Sequence, residues 1–549
     1  MKSKHSTLSD GSEKQFTSKE ATKQQSAAKL KALLVITPLI TGAAVMMIEL
    51  LGTRIISPYF GVSLYVWTSL ITVTLLALAG GYWWGGYIAD RKRTASFLYF
   101  LIFLAGAFLL FVPVLKKTFL VLSSHLGLRF GSLAGSFLLF FLPLFLLGAV
   151  TPYLVKLYAR DMRTIGKVVG NLYAISTAGS FAGTILSGFV FIPHFKNESI
   201  LFFISAALIV LCLVYWLFFL DKGHSCIWLF VTALVLLPVL FIQKPFSKQE
   251  IDSVFKGASF HLVTEKNSAY GQIKVFDVNN RIRVLILDGL TQNAVDQMSG
   301  LSVHEYTYAL PLIARSYNPE GKTALAIGLG AGTIPSELRR NHFTVDCVEI
   351  NPVMVTVAQN YFGFNPDDVN LSKQDARFFV RNCRKKYDMI FLDAFNGDSV
   401  PEHLLTLEMF RDLKRLMNPD GVLCINFFGS LARKHSFGTR SLAKTLKQVF
   451  AQVVAFTNLP PEEIGGNIYF LATENERDPG GFIQIDRTRC YYSVYGDLCK
   501  LWNHKIDVNK DADRGIVLTD AYNPILFYDA STREMVREKM QALLGGILL

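Results

Sequence analysis

Six long apolar runs, at about 33–56, 63–88, 95–115, 132–155, 168–192 and 199–220, follow one another through the first half of the chain. A helix needs about 20 apolar residues to cross the hydrocarbon core of a bilayer, and six such runs in succession are the signature of a multi-pass α-helical membrane domain. We place that domain at residues 33–242. A seventh segment, Cys226 to Ile242, has only 17 residues and contains Pro238, which puts it at the short limit for a span. The first 32 residues are rich in Lys, Ser, Thr and Gln and lack aliphatic periodicity, so they read as a disordered basic tail. No small-residue cleavage site ends the apolar run that follows, so the start of the chain does not read as a cleavable signal peptide.

Basic residues set the expected orientation, because cytoplasmic loops carry the excess of Lys and Arg. The tail holds Lys23, Lys29 and Lys31. The loop after the second run holds Arg91, Lys92 and Arg93, and the loop after the fourth holds Lys156, Arg160, Arg163 and Lys167. The alternate loops are poorer, with Lys116, Lys117, Arg129 and Lys196. The N-terminus is therefore expected in the cytoplasm. Six spans would return the rest of the chain there, and seven would place it outside. The net charge of +12 is thus used largely at membrane boundaries, and nucleic-acid binding is not expected, since it calls for a basic face interleaved with aromatics. Inside the first run, Glu49 is a functional candidate because an intramembrane carboxylate is costly. Arg54 follows it five residues later, on a different face of a helix. Gly179 and Gly183 form a GxxxG pair suited to close helix packing. The segment from Gly86 to Arg93 has some likeness to the loop motif of major-facilitator transporters, which keeps a transporter reading open.

From about residue 250 the composition becomes that of a soluble domain. Residues 250–300 read as a small antiparallel β subdomain, with strand-forming runs at 271–277 and 281–288 on either side of a turn at Asn279 and Asn280. Residues 301–549 read as a doubly wound Rossmann-like α/β domain. A buried strand at 323–327 runs into Gly328, Gly330 and Gly332, and a helix follows. Glycines there allow backbone to approach a nucleotide, and the helix N-terminus can receive it. A second strand ends at Glu349, where a carboxylate can accept hydrogen bonds from ribose hydroxyls. Asp375 opens a further helix, able either to accept from an adenine amino group or to cap the helix. The strand at 387–393 ends in Asp393. Ligands of open α/β sheets bind beyond the carboxyl ends of the strands, so Asp393 is the leading catalytic candidate. Strands at 421–427, 452–457 and 467–472 are expected to complete a mostly parallel sheet. The seven cysteines show no CxxC pair and no zinc-like spacing, so no metal site is expected. Cys490 and Cys499 read as free thiols rather than a disulfide.

Together these residues resemble the spermidine synthases, the polyamine aminopropyltransferase family, and in particular bacterial members fused to a membrane domain. The resemblance runs through Ser268 to Tyr270, Asp288 and Gly289 with Gln292, His304 and Glu305, the Gly328 loop, Glu349 to Pro352, Asp375 to Arg377, and Tyr387 to Asp393. It continues at Pro401 to Thr406 and at Leu518 to Asp520 with Pro524. It implies that decarboxylated S-adenosylmethionine, or the intact molecule, is the donor substrate. Glu349 would hold its ribose and Asp375 its adenine, with Gly328, Gly330 and Gly332 shaping the loop. Asp393 would orient and deprotonate an attacking small amine such as putrescine. Tyr270, Asp288, Gln292, His304, Glu305 and Asn396 would line the acceptor side. Asn396 and Ala331 stand where the family carries acids. The family further implies a possible homodimer, and the bacterial fused members imply a plasma-membrane location. Two other functions stay open: an S-adenosylmethionine-dependent methyltransferase, and a transporter or sensor with a non-catalytic nucleotide-binding domain.

Overall fold

The computed structural model describes residues 7–61, 64–158, 164–220, 232, 253–255, 258–395, 397, 400–463, 465–508 and 514–544. Apart from Thr232, the segment from Cys226 to Ile242 lies outside the described residues. The chain divides into two compact units. One comprises Met1–Ile55, Thr68–Ser123 and Ser132–Pro245, and the other Ile56–Trp67, Ser124–Gly131 and Phe246–Leu549.

Six helices carry the apolar runs: α1 (Thr7–Phe60), α2 (Leu64–Arg91), α3 (Ala95–Ser124), α4 (Gly127–Tyr158), α5 (Ile165–His194) and α6 (Asn197–Phe219). All six are long and apolar enough to cross a membrane. The expectation of a disordered tail is corrected, since α1 already begins at Thr7. Lys19, Glu20, Ala21, Lys23, Gln24, Gln25 and Ala27 are strong helix formers, and extending a helix already nucleated downstream is far easier than starting one. Small residues bring the helices together. A Cβ on Gly179 would lie 2.0 Å from the Leu39 carbonyl oxygen, and one on Gly183 would lie 2.6 Å from that of Ala43. The GxxxG pair of α5 therefore seats on α1. Gly81 and Gly85 of α2 do the same against Phe145 and Ala149 of α4. Two polar pairs join helices in this unit: Thr37 Oγ1 and the Tyr99 hydroxyl lie 3.0 Å apart, and Ser69 and Ser132 Oγ 2.8 Å apart. Trp83, Phe181 and Phe189 are at least two-thirds exposed, an arrangement compatible with a lipid-facing surface. Glu49 and Arg54 both lie on α1, partly buried.

The second unit holds two sheets. The first is the antiparallel sheet β1 (Ser253–Phe255), β2 (Ala258–Ser268), β3 (Gly271–Val278), β4 (Ile282–Leu287) and β5 (Leu290–Asp296), in sequential order. The β3–β4 connection, across which Val278 pairs with Ile282, places Asn279 and Asn280 both at φ 51°, a left-handed conformation that asparagine adopts more readily than most residues.

The second sheet has strands β6 (Thr323–Ile327), β7 (Thr344–Val348), β8 (Asn370–Ser372), β9 (Tyr387–Leu392), β10 (Met417–Gly429), β11 (Gln452–Phe456), β12 (Gly466–Thr473) and β13 (Lys505–Ile506). Their order is β13-β11-β12-β10-β9-β6-β7-β8. The run β10-β9-β6-β7-β8 is parallel throughout, whereas β12 pairs antiparallel with both β10 and β11, and β13 antiparallel with β11. The sheet is thus mixed, with its parallel half carrying the glycine turn after β6. Helices α7 (Tyr306–Tyr317), α8 (Thr333–Arg340), α9 (Pro352–Phe362) and α13 (Tyr492–Leu501) contribute to one apolar core. Helices α10 (Ala376–Asn382), α11 (Leu407–Arg415) and α12 (Phe437–Lys447) contribute to the other. Within β6, Ala324 and Ala326 belong to the first core and Leu325 and Ile327 to the second, as strand alternation dictates. A last helix, α14 (Ala530–Leu544), ends the described chain. Cys490 and Cys499 are both free.

Candidate active site

The carboxyl ends of the five parallel strands open onto one cavity of about 440 Å³. β6 delivers Gly328 and Gly330, β7 delivers Glu349, the loop after β8 delivers Gln374 and Asp375, β9 delivers Asp393, and β10 delivers Asn426. The antiparallel sheet closes the opposite side with Tyr270 from the β2–β3 turn and Gln292 from β5, and the approach to α7 adds His304.

Gly328 has φ +97°, and a Cβ there would lie 2.2 Å from the Asp393 carbonyl oxygen. Only glycine lets the turn after β6 pass so close to the end of β9. Glu349 is 9% exposed and accepts one backbone N–H at each oxygen, from Asn351 to Oε1 at 2.7 Å and from Leu329 to Oε2 at 3.0 Å. Burial raises its pKa against the pull of those bonds. The Ile350 N–H adds to that pull, and the carboxylate is held rigidly with some acceptor capacity left. Asp375 caps a helix and also reaches the cavity wall. Its Oδ1 caps α10 by accepting from Phe378 N at 2.9 Å, and Oδ2 faces His403 Nε2 at 3.4 Å on the cavity wall.

Asp393 follows the end of β9 on the cavity wall. Asn426 Nδ2 donates to its Oδ1 at 2.8 Å, and burial pushes its carboxyl up from 3.8 to about 6. Across the cavity, burial lowers His304 to about 4, so its imidazole is neutral at physiological pH. Tyr306 donates to the Gln292 carbonyl oxygen at 2.9 Å and receives Asn293 Nδ2 at 2.9 Å. Gln292 Nε2 donates to Gly397 O at 2.9 Å, pinning the loop that follows Asp393. A base poised near neutrality, a fixed carboxylate acceptor and an apolar, partly closed chamber can carry out a substitution in which a nucleophile loses a proton.

Of the residues expected at the site, Tyr270, Gln292, His304, Gly328, Gly330, Glu349, Asp375 and Asp393 line the cavity. Three do not. Asp288 occupies the β4–β5 turn at φ 47°, where its Oδ1 accepts from Gln272 N at 2.9 Å; it shapes the hairpin that carries Gln292. Glu305 turns away and accepts from Asn458 Nδ2 at 2.9 Å, because adjacent residues entering a helix point about 100° apart. Gly332, at φ +78°, is the N-cap of α8 and packs on Phe364. Asn396 lies outside the described residues. Sequence reasoning passed over Asn426 and Tyr306. Asn426 stands near the carboxyl end of the strand beside β9, the same positional signal that singled out Asp393.

Residues 300–479 match the model of the spermine/spermidine synthase domain. A polyamine aminopropyltransferase of Vibrio vulnificus is 40% identical over 120 residues, covering 21% of this chain and 40% of that protein. An N-terminal histidine N-methyltransferase of Emericella nidulans is 34% identical over 167 residues, covering 29% of each. The chain thus spans less than half the length of these two relatives. A probable spermidine synthase of Corynebacterium glutamicum, known as a crystal structure, superposes over 48% of this chain and 96% of its own with 17% identity and a TM-score of 0.40. The C-terminal part of this chain carries a domain of the spermine/spermidine synthase family.

Proposed function

We propose that the chain is a membrane-anchored aminopropyltransferase that moves an aminopropyl group from decarboxylated S-adenosylmethionine to a small amine such as putrescine. The observation that carries this reading is Asp393, half-buried at the end of β9 on the cavity wall, with its carboxyl raised to about 6 and oriented by Asn426. The amine nitrogen attacks the carbon bonded to the sulfonium. A C–N bond forms, the C–S bond breaks, and the sulfur leaves with the electron pair as a neutral thioether. The proton lost by the nitrogen passes to Asp393. Glu349 takes the ribose hydroxyls, Asp375 the adenine, and the Gly328 turn gives the nucleoside room. Tyr270, Gln292 and His304 line the acceptor side. Holding donor and amine in line supplies much of the rate, because the sulfonium is already a good leaving group.

The membrane domain anchors this chemistry in the bilayer, with the N-terminus in the cytoplasm by the distribution of Lys and Arg. The deciding assay is turnover of purified protein with decarboxylated donor and putrescine, read as release of the thioether nucleoside. No release with any small amine refutes the reading. Ala331 favours a second one, methyl transfer from intact S-adenosylmethionine. It is 2% exposed and packed with Ile273, Leu285, Leu287 and Met354, so it brings no charge to a protonated aminopropyl tail. The intact donor in the same assay separates the two.

A further inference from the structure

The segment around Leu518, Thr519 and Asp520 contributes nothing to the cavity wall, yet it is bonded to two pieces of that wall at once. Arg377 lies in the first turn of α10, two residues after Asp375, and is 9% exposed. Its Nη1 donates to Asp520 Oδ1 at 2.7 Å, and its Nη2 donates to Asp520 Oδ2. The same Nη1 donates to the His403 carbonyl oxygen at 2.8 Å. Thr406 Oγ1 also donates to Asp520 Oδ1, at 2.7 Å. One guanidinium, held at both nitrogens, thus ties the start of α10 to the 401–406 segment. Asp375 and Ala376 form the cavity wall on one side of it, and Pro401, His403 and Leu404 on the other.

The surrounding backbone follows the same pattern. Leu407 N donates to Leu518 O at 2.8 Å, Asp520 N to Glu408 Oε2 at 2.9 Å, and Asn523 Nδ2 to Glu402 O at 2.8 Å. The segment is a strap across the outside of one end of the cavity. A two-point Arg–carboxylate contact fixes direction as well as distance, and removing one member leaves the other charge buried without compensation.

We infer that Asp520 is a positioning residue for the donor nucleoside: through Arg377 it sets the spacing between Asp375 and the His403 wall. The inference rests on the reading of this cavity as an adenosyl-donor site. Its consequence is a selective loss. Without Asp520 the base end of the cavity loosens, while Asp393 and Asn426, on strands β9 and β10, keep their geometry.

The test uses the full chain in detergent, titrated calorimetrically with two uncharged-sulfur probes, methylthioadenosine and S-adenosylhomocysteine. For Asp520→Asn the expected result is affinity weakened about 10- to 100-fold, near-normal affinity in Asp520→Glu, and an intermediate loss in Arg377→Lys, which keeps the charge but not the fork. Hydrogen exchange at residues 402–406 should quicken in Asp520→Asn, while the KM for amine stays unchanged. Unaltered nucleoside affinity in a folded Asp520→Asn protein overturns the inference, as does unaltered exchange. If Asp520→Asn fails to fold, the graded Arg377→Lys result decides in its place. Wild-type protein that binds neither probe refutes the donor-site reading itself, while the exchange experiment still reports whether Asp520 holds the wall.

Discussion

Replacing Asp393 with asparagine should separate catalysis from stability. The substitution keeps the shape, and the new amide oxygen can still accept from Asn426 Nδ2. It removes the base. General-base catalysis of this kind contributes about 10²- to 10⁴-fold, and turnover should fall by that factor. Affinity for the nucleoside should change by less than about threefold, since no ground-state contact to the donor is lost. Stability should move the other way. Burial lifts this carboxyl from 3.8 to about 6 in the folded protein. Below pH 3.8 both folded and unfolded forms are protonated, and the residue costs nothing. Between 3.8 and about 6 the unfolded chain ionises first, so folding stability declines as pH rises. Above about 6 the full cost is present, about 3 kcal/mol for a displacement of this size. Asp393→Asn should therefore melt higher than wild type at pH 7.5 and level with it near pH 3.5. Wild-type activity should drop about tenfold from pH 7 to pH 5 as a group titrating near 6 is protonated. The assays are thioether release across pH and thermal denaturation in detergent at both pH values. Near-normal turnover in Asp393→Asn, or a flat wild-type profile between pH 5 and 8, would refute the assignment of Asp393 as the base.

Glu349→Gln should lower nucleoside affinity and destabilise the domain by about 1–3 kcal/mol, because the new amide NH₂ must face a backbone N–H at Leu329 or Asn351; calorimetry and melting check both. His304→Gln should flatten the acid limb of stability. The imidazole is held near 4 by burial, so wild type loses stability as pH falls from about 6.5, where the unfolded imidazole begins to charge. A variant with the same acid limb would refute the burial argument. Gly179→Ala should destabilise the membrane unit by about 1–3 kcal/mol through overpacking, since its Cβ would meet the Leu39 carbonyl oxygen at 2.0 Å, whereas Gly188→Ala, with nothing within 4 Å, should melt like wild type. Paired reporter fusions at Leu549 should report the cytoplasm if six segments span, and the outside if Cys226 to Ile242 also crosses.

Much was legible in the sequence because it is written in one dimension. A run of apolar residues as long as a bilayer is thick reads directly, and so do a glycine turn between strand and helix, acids at strand ends, and a hairpin turn at two asparagines. Gly328, Glu349, Asp375 and Asp393 were singled out by position along the chain alone, and all four line one cavity; the Gly179–Gly183 spacing announced a tight helix contact. Other features depend on what lies across the fold. Whether Asp375 caps a helix or faces a ligand was open in the sequence; the fold shows the cap at one oxygen and His403 opposite the other. Glu305 sits beside His304 in the chain, yet the first turn of α7 sends one carboxylate toward Asn458 and one imidazole toward the cavity. Asp288 is an acid beside the site whose work is to shape a turn. Asn426 becomes part of the site only because β10 pairs with β9, and Asp520 is tied to the Asp375 wall of the cavity only because Arg377, 143 residues earlier, donates to it. Local sequence fixes which elements form, since propensity and periodicity act over a few residues. Which side chains share a cavity, and what its burial does to the charge of Asp393 and His304, is decided by contacts between residues far apart in the chain.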